Sequence, residues 1–358
     1  MNKKALILLF SMIALVTGGL VTAGLIVTSE EEARPVFTGE YSLGPNDELA
    51  YVIERKGVHT LFAQMGDGHP APVYQAEEEW EIHAPVFTGE TEITFVETTG
   101  EPKEPPGKQE FQLVHSDVKT ATVENGETTT VLDARGYITE LLYDDAKDRL
   151  IVNGVHMSTE KKPEVGFIPY ESALYILSRD GDVEKIRSFD AYSPGSLQIT
   201  KEGEHLFMIL PDDFEEVTPE SMFEATERIY EMKIDDLSAL QVVSKEDSDI
   251  PISEFVLVGD GTQMLYQTIM NWGEGGTYLY DTVWFDRSTK KEGKRLHINE
   301  AVMNAKLNEE GSWLYYVKMS QKADQTRQYG LYRFDVTGEK KEEKLNIEER
   351  IQEGEASS

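Results

Sequence analysis

From about residue 35 onward, the chain alternates between a polar turn and a short apolar, aromatic run. Six segments share this pattern: GPNDELAYVIE (44–54), FTGETEITFVE (87–97), YDDAKDRLIVN (143–153), ITKEGEHLFMI (199–209), LVGDGTQMLYQ (257–267) and LNEEGSWLYYV (307–317). Aligned on the first position of each that is expected to be buried, they give Leu49, Ile93, Leu150, Leu206, Met264 and Leu314, at steps of 44, 57, 56, 58 and 50 residues. Turn formers flanked by β-branched and aromatic residues predict strand, tight turn, strand. A second hairpin follows in each unit. Five of these align on Leu61, Leu174, Ile229, Val283 and Leu331, each with an aromatic next to it. The remaining unit supplies 118–132, where Asn125-Gly126 predicts a type I′ turn, which needs φ > 0 at both positions.

Four strands per unit at a period near 50 residues predict an all-β fold: a six-bladed β-propeller of four-stranded antiparallel blades over 36–347. One hairpin pair cannot bury its own face, so neighbouring units must stack into a continuous core. A β-sandwich rarely repeats the same paired-hairpin pattern six times. The stretch PVFTGE at 35–40 recurs at 85–90 and is the candidate strand for closing the ring by completing the last blade. The turn-plus-strand segments resemble degenerate copies of the WD40-like repeat of TolB-type propellers, which places Ser-Pro-Asp-Gly before an apolar-aromatic strand. Gly259-Asp260-Gly261 and Glu310-Gly311 keep the turn, Gly44-Pro45-Asn46-Asp47 keeps part of it, and Asp144-Asp145-Ala146-Lys147 has lost the glycine. The resemblance implies a propeller and a role as an interaction platform. It carries over no partner contacts, because an apolar segment stands where that family has a separate N-terminal domain.

That segment, ALILLFSMIALVTGGLVTAGLIV (5–27), has no charge and is long enough as a helix to span a bilayer core. Lys3 and Lys4 precede it and Glu30 to Glu32 follow it, which predicts a cytoplasmic N-terminus and a translocated body. The expected organisation is a cytoplasmic 1–4, a transmembrane signal anchor 5–27, a linker 28–35, the propeller 36–347 and a polar C-terminal tail 348–358. Cleavage after Ala23, giving a secreted protein, is the alternative. There is no cysteine to acylate, and no Asn-x-Ser/Thr acceptor, so a bacterial source is the simpler reading.

The chain has 66 acidic and 34 basic residues and a net charge of −32, so it would repel nucleic-acid phosphates. Without cysteine it can hold no disulfide scaffold, thiolate metal site or thiol nucleophile.

The long connections all fall between the second and third strands of a unit: 98–110, 156–172, 210–227, 268–281 and 318–329. Elaborated loops on a rigid β scaffold usually carry binding. Candidate partner contacts are Lys161, Lys162, Phe167 and Tyr170 in one loop, and Trp272 and Tyr278 in another. Thr218, Pro219 and Glu220 predict a short capped helix in the 210–227 loop. No nucleophile elbow, paired zinc histidines or phosphate loop occurs, so no residue is given a catalytic or cofactor role. Asp180 to Glu184 reads as turn chemistry. Asp212, Asp213, Glu215 and Glu216 are weak metal candidates, and calcium, which wants six to eight oxygens, has no further support. The expected function is a membrane-anchored extracytoplasmic propeller acting as a non-catalytic binding or scaffolding module. Its expected partner is a protein, peptide or cell-envelope component. A calcium-dependent hydrolase or lactonase working at the central channel is the alternative.

Overall fold

A computed structural model describes residues 34–99, 114–158, 172–189, 192–212, 214–215, 225–245, 249–274, 276–322, 325–338 and 342–357. The chain is all-β, in a propeller-like arrangement of sheets in which consecutive strands pair antiparallel. The first sheet contains β1 (Val36–Leu43), β2 (Leu49–Arg55), β3 (Val58–Gln64) and β4 (Ala71–Gln75). A seven-stranded sheet follows: β5 (Trp80–Phe87), β6 (Glu92–Thr99), β7 (His115–Thr122), β8 (Thr128–Asp144), β9 (Arg149–Ser158), β10 (Ser172–Ser178) and β11 (Val183–Phe189). Three more four-stranded sheets complete the body. They are β12 (Gly195–Ile199), β13 (His205–Pro211), β14 (Glu227–Lys233) and β15 (Asp236–Val242); β16 (Ile252–Val258), β17 (Gln263–Ile269), β18 (Tyr280–Asp286) and β19 (Lys291–Leu296); and β20 (Met303–Leu307), β21 (Trp313–Gln321), β22 (Arg327–Asp335) and β23 (Glu343–Leu345). The expectation of six four-stranded sheets is thus met by four of them and one larger sheet, because the 17-residue β8 pairs with β7 through its first half and with β9 through its second.

The repeat predicted the middle strands of each unit. Leu49, Ile93, Leu150, Leu206, Met264 and Leu314 open β2, β6, β9, β13, β17 and β21 or lie one residue in, and all are buried. Leu61, Leu174, Ile229, Val283 and Leu331 occupy the next strand in their units and are also buried. These positions fill side-chain layers between adjacent sheets: Ile151 and Leu174 of one sheet, for example, pack with Leu206, Met208 and Tyr230 of the next. Gly203, in the β12–β13 turn, shows how tightly neighbouring turns approach. It has φ +68, and a Cβ there would collide with the buried carboxylate of Asp144, which is held by Arg149 at 2.8 Å. Gly203→Ala is therefore expected to cost about 1–3 kcal/mol in a urea unfolding midpoint, from left-handed strain plus displacement of that ion pair.

One turn differs from its expectation. Of Asn125-Gly126, only Gly126 has positive φ. The connection is longer than a two-residue turn: the Gly126 N–H donates to Thr122 O at 2.8 Å, and the Asn125 side chain accepts from the Glu127 N–H at 2.9 Å. That side-chain bond replaces the second left-handed residue as the means of reversing the chain.

The ring closes without a borrowed strand. β1, expected to complete the last unit, pairs with β2 in its own sheet, and the second PVFTGE copy ends β5 and enters its turn. The first and last sheets instead meet through side chains: the Tyr41 hydroxyl donates to Asn304 O at 2.6 Å, and Asn304 Nδ2 donates to Gly39 O at 3.3 Å. The chain beyond the last strand forms helix α1 (Ile347–Ser357), where the sequence reads only as a polar tail. Ile347 and Ile351, one turn apart, enter the cluster of Phe37, Tyr51, Phe62, Tyr315, Val317 and Leu331 that joins both sheets. Ile351→Ala should cost about 2–4 kcal/mol in the same unfolding assay, as expected for truncating a side chain that is 2% exposed.

Among the described residues no helix is long and apolar enough to cross a membrane. The 5–27 segment and the helix expected at 218–220 lie outside the described residues.

Candidate functional site

The large exposed apolar side chains among the described residues are Val36, Tyr137, Met270, Trp272, Tyr278, Leu279 and Met319. The topology puts all of them at one end of the sheets, where first strands begin and second strands run into third strands. Val36 opens β1, Tyr137 opens the second half of β8, and Met319 lies near the end of β21. The other four share the connection between β17 and β18. That connection is well built. Asn271 donates to Thr277 O at 2.9 Å and accepts from the Leu279 N–H at 2.7 Å, while the Met270 N–H donates to Leu279 O at 2.8 Å. On this frame Trp272 and Tyr278 stack with ring centroids 5.7 Å apart, 37% and 42% exposed, beside Leu279 at 60%. A rigid aromatic pair with apolar neighbours in water is the usual make-up of a recognition hot spot. Of the residues anticipated for partner contact, the structure brings Trp272 and Tyr278 together; Lys161, Lys162, Phe167 and Tyr170 lie outside the described residues.

Sequence reasoning missed a second feature, on the inner strands. The first strand of every unit breaks register at an equivalent place: between Phe37 and Tyr41, His83 and Val86, Ile138 and Glu140, Gly195 and Gln198, Ile252 and Glu254, and Met303 and Lys306. A bulge re-aims the side chain that follows it. In alternate units that side chain is a glutamate, and it reaches to the neighbouring inner strand. Glu40 Oε2 accepts from the Ala84 N–H at 2.8 Å, and Glu140 Oε1 accepts from the Leu197 N–H at 2.8 Å. Glu254 Oε1 accepts from Ser196 Oγ at 2.6 Å and the Phe255 N–H at 3.1 Å, and its carboxylate also accepts backbone N–H groups of Asn304 and Ala305. The receiving strands carry their strain at the same level, with φ of 48° at Ala84 and 53° at Ser196 and Asn304. The glutamate units also share a hydroxyl partner: Thr38, Thr139 and Ser253 donate to Val52 O, Asn153 O and Gln267 O, each fourteen residues on. Thr/Ser-(Gly)-Glu in alternate units was the sequence signal available.

These glutamates and Lys306 line a central cavity of about 480 Å³ that runs from the bulges toward the turns at Lys201 and Gly259. Burial raises the carboxyls of Glu40, Glu140 and Glu254, that of Glu140 to about 7. Burial likewise lowers the Lys306 ammonium, against the attraction of the three glutamates.

Other clusters are less site-like. Asp212 is held by Arg228 at 3.2 Å and Glu215 by Arg187 at 3.4 Å, so the described members of the acidic 212–216 group are separately engaged by arginines rather than gathered round a common point. Asp213 and Glu216 lie outside the described residues. The sequence shows no paired zinc histidines, but His115 Nε2 lies 3.1 Å from Asp117 Oδ1 and 3.5 Å from Asp133 Oδ1 across β7 and β8. This three-donor set could take a borderline divalent ion, although Lys119, which ion-pairs with Glu97, stands close by.

No protein-family model matches the chain, and no curated protein matches it. Solved structures do. TolB from Acinetobacter baumannii aligns with a TM-score of 0.54 at 12% identity, over 82% of this chain and 63% of that one. The fold is TolB-like. A puromycin-hydrolysing peptidase from Mycobacterium tuberculosis aligns at 0.53 and 12% identity, over 88% of this chain and 54% of that one. An oligogalacturonate lyase in complex with manganese aligns at 0.51 and 14% identity, over 81% and 75%. This chain therefore spans under two thirds of both TolB and the peptidase. At such identities the likeness concerns the fold alone, and one fold hosts binding proteins and enzymes alike.

Proposed function

We propose that the chain is a six-bladed propeller, its seven-stranded sheet being two blades fused through β8. It is carried outside the cytoplasm on the 5–27 anchor and serves as a non-catalytic binding module. The partner is a protein, peptide or cell-envelope component, engaged by the face bearing the long connections. One observation carries this reading: the large exposed apolar side chains among the described residues all lie at that end, four of them in the connection that bears the stacked Trp272–Tyr278 pair. Apolar patches on a soluble surface mark interaction sites more often than chance exposure.

The test is site-specific photo-crosslinking in the native host, with the probe placed at Leu279 on this face or at Asp182 in a turn at the other end. Discrete adducts from position 279 alone are expected. The double change Trp272→Ala and Tyr278→Ala should reduce them at least tenfold, on the basis of about 2 kcal/mol or more for a hot-spot aromatic. Equal crosslinking from both faces, or none from position 279, overturns the reading.

The calcium-dependent hydrolase or lactonase ranks second. Three converging glutamates favour it, but Glu254 is already engaged by several donors, and Lys306 supplies a positive charge where a calcium ion would. Millimolar calcium should leave the thermal midpoint of the full chain unchanged; a specific rise by mass action would reverse the ranking.

A further inference from the structure

We propose that the central channel is a binding site for a small zwitterion, a molecule of free amino-acid size carrying one ammonium and one carboxylate. The site is independent of the partner-binding face, since its cavity extends along the inner strands toward the opposite turns.

Glu254 is saturated by Ser196 and by backbone donors, and its role is to hold neighbouring strands together. Glu40 and Glu140 each spend one oxygen on a backbone N–H, through Oε2 and Oε1 respectively. The second oxygen of each, Oε1 of Glu40 and Oε2 of Glu140, accepts no hydrogen bond from a described residue. Lys306 is more unusual. Its ammonium makes no hydrogen bond or direct ion pair with any described residue; its contacts are the face of the Tyr41 ring, 5.9 Å from the centroid, and longer-range attraction to the three glutamates. Half-buried and without an ion-pair partner among the described residues, the ammonium faces the cavity that the glutamates also line, so a group that pairs with both would be held from two sides.

The space is there. About 480 Å³ is many times the roughly 30 Å³ a water occupies. The free groups are two acceptors of negative character and one donor of positive character, around one cavity. A simple anion would satisfy Lys306 but meet Glu40 and Glu140 as like charges. A metal ion would satisfy the glutamates but meet Lys306. A molecule with both charges satisfies all three: its ammonium lies against the free oxygens of Glu40 and Glu140, and its carboxylate accepts from Lys306. Ser42 and Gln198 in the walls can receive or donate to its remaining polar atoms.

The experiment is thermal shift and calorimetric titration of the purified full chain with free L-amino acids at about 10 mM, alongside acetate and methylammonium as the two separate halves. At least one amino acid is expected to bind and to raise the midpoint by about 2 °C or more, with each half at least tenfold weaker. Lys306→Met should abolish binding. Because that change leaves the glutamates without a counter-charge and could unfold the ring, Glu140→Gln is the second variant. It keeps the acceptor for Leu197, and it should weaken amino-acid binding at least tenfold while the far-ultraviolet spectrum stays unchanged. The proposal is overturned if no amino acid binds, if methylammonium or calcium binds as tightly as the best amino acid, or if Glu140→Gln leaves the affinity intact.

Discussion

Glu254→Ala is expected to lower the unfolding free energy by about 3–5 kcal/mol, read as a fall in the urea midpoint without a change in slope. The size follows from the number of donors stranded. Ser196 Oγ, the Phe255 N–H and the backbone N–H groups of Asn304 and Ala305 all converge on this carboxylate, which is 6% exposed. Each buried donor left without an acceptor costs about 1–3 kcal/mol, reduced where water from the cavity can reach it. Ser196 and Asn304 also sit at left-handed φ, a strain tolerated because the glutamate holds the surrounding backbone. Glu254→Gln keeps an acceptor oxygen and should cost about a third as much. A loss below about 1 kcal/mol for the alanine variant would mean that cavity water substitutes for the carboxylate, and that the bridge is not what locks these strands.

What the sequence made legible, and what it hid, divides along the same line. Leu49, Ile93, Leu150 and their equivalents could be found because the second strands alternate regularly and follow a turn; burying one face of a sheet imposes period two. The third strands, headed by Leu61 and Leu174, obey the same rule. The first strands do not. A bulge at Gly39, at Ala84 or at Ser196 shifts the alternation by a residue midway, so whether Glu40 or Tyr41 points inward cannot be counted off from the chain. Glu40, Glu140, Glu254 and Lys306 are accordingly invisible as a group, four among 66 acidic and 34 basic residues. Helix α1 was hidden for another reason: its buried stripe is only Ile347 and Ile351 in an acidic segment, too little for a periodicity. Composition and loop position point to Trp272 and Tyr278, whereas Met270 and Leu279 join them only once Asn271 folds the connection back on itself.

Glu140→Gln should raise the thermal midpoint at pH 8 and leave it unchanged at pH 4. Unfolded, the Glu140 carboxyl titrates near 4.5; folded, burial holds it at about 7, with the Leu197 N–H and Lys306 pulling it down and Glu254 and Glu40 pushing it up. Between those two values the unfolded chain has released a proton that the folded chain retains, so stability falls as pH rises through the window. At about 1.4 kcal/mol per pH unit, the folded state loses about 3 kcal/mol by pH 8 relative to pH 4 on account of this one group. A glutamine cannot ionise, and its amide oxygen still accepts from Leu197, so the variant escapes the loss: about 3 kcal/mol at pH 8, which for a domain of this size amounts to several degrees. The contrast with Glu254 is chemical. Both bridge inner strands, but Glu254 is buried and paired with enough donors for removal to harm at any pH, whereas Glu140 is half-buried and has one backbone donor. A midpoint that falls at pH 8 in the glutamine variant would mean that Lys306 closes onto an ionised Glu140 in solution, and would place that pair, rather than the backbone bridge, at the centre of the channel's stability.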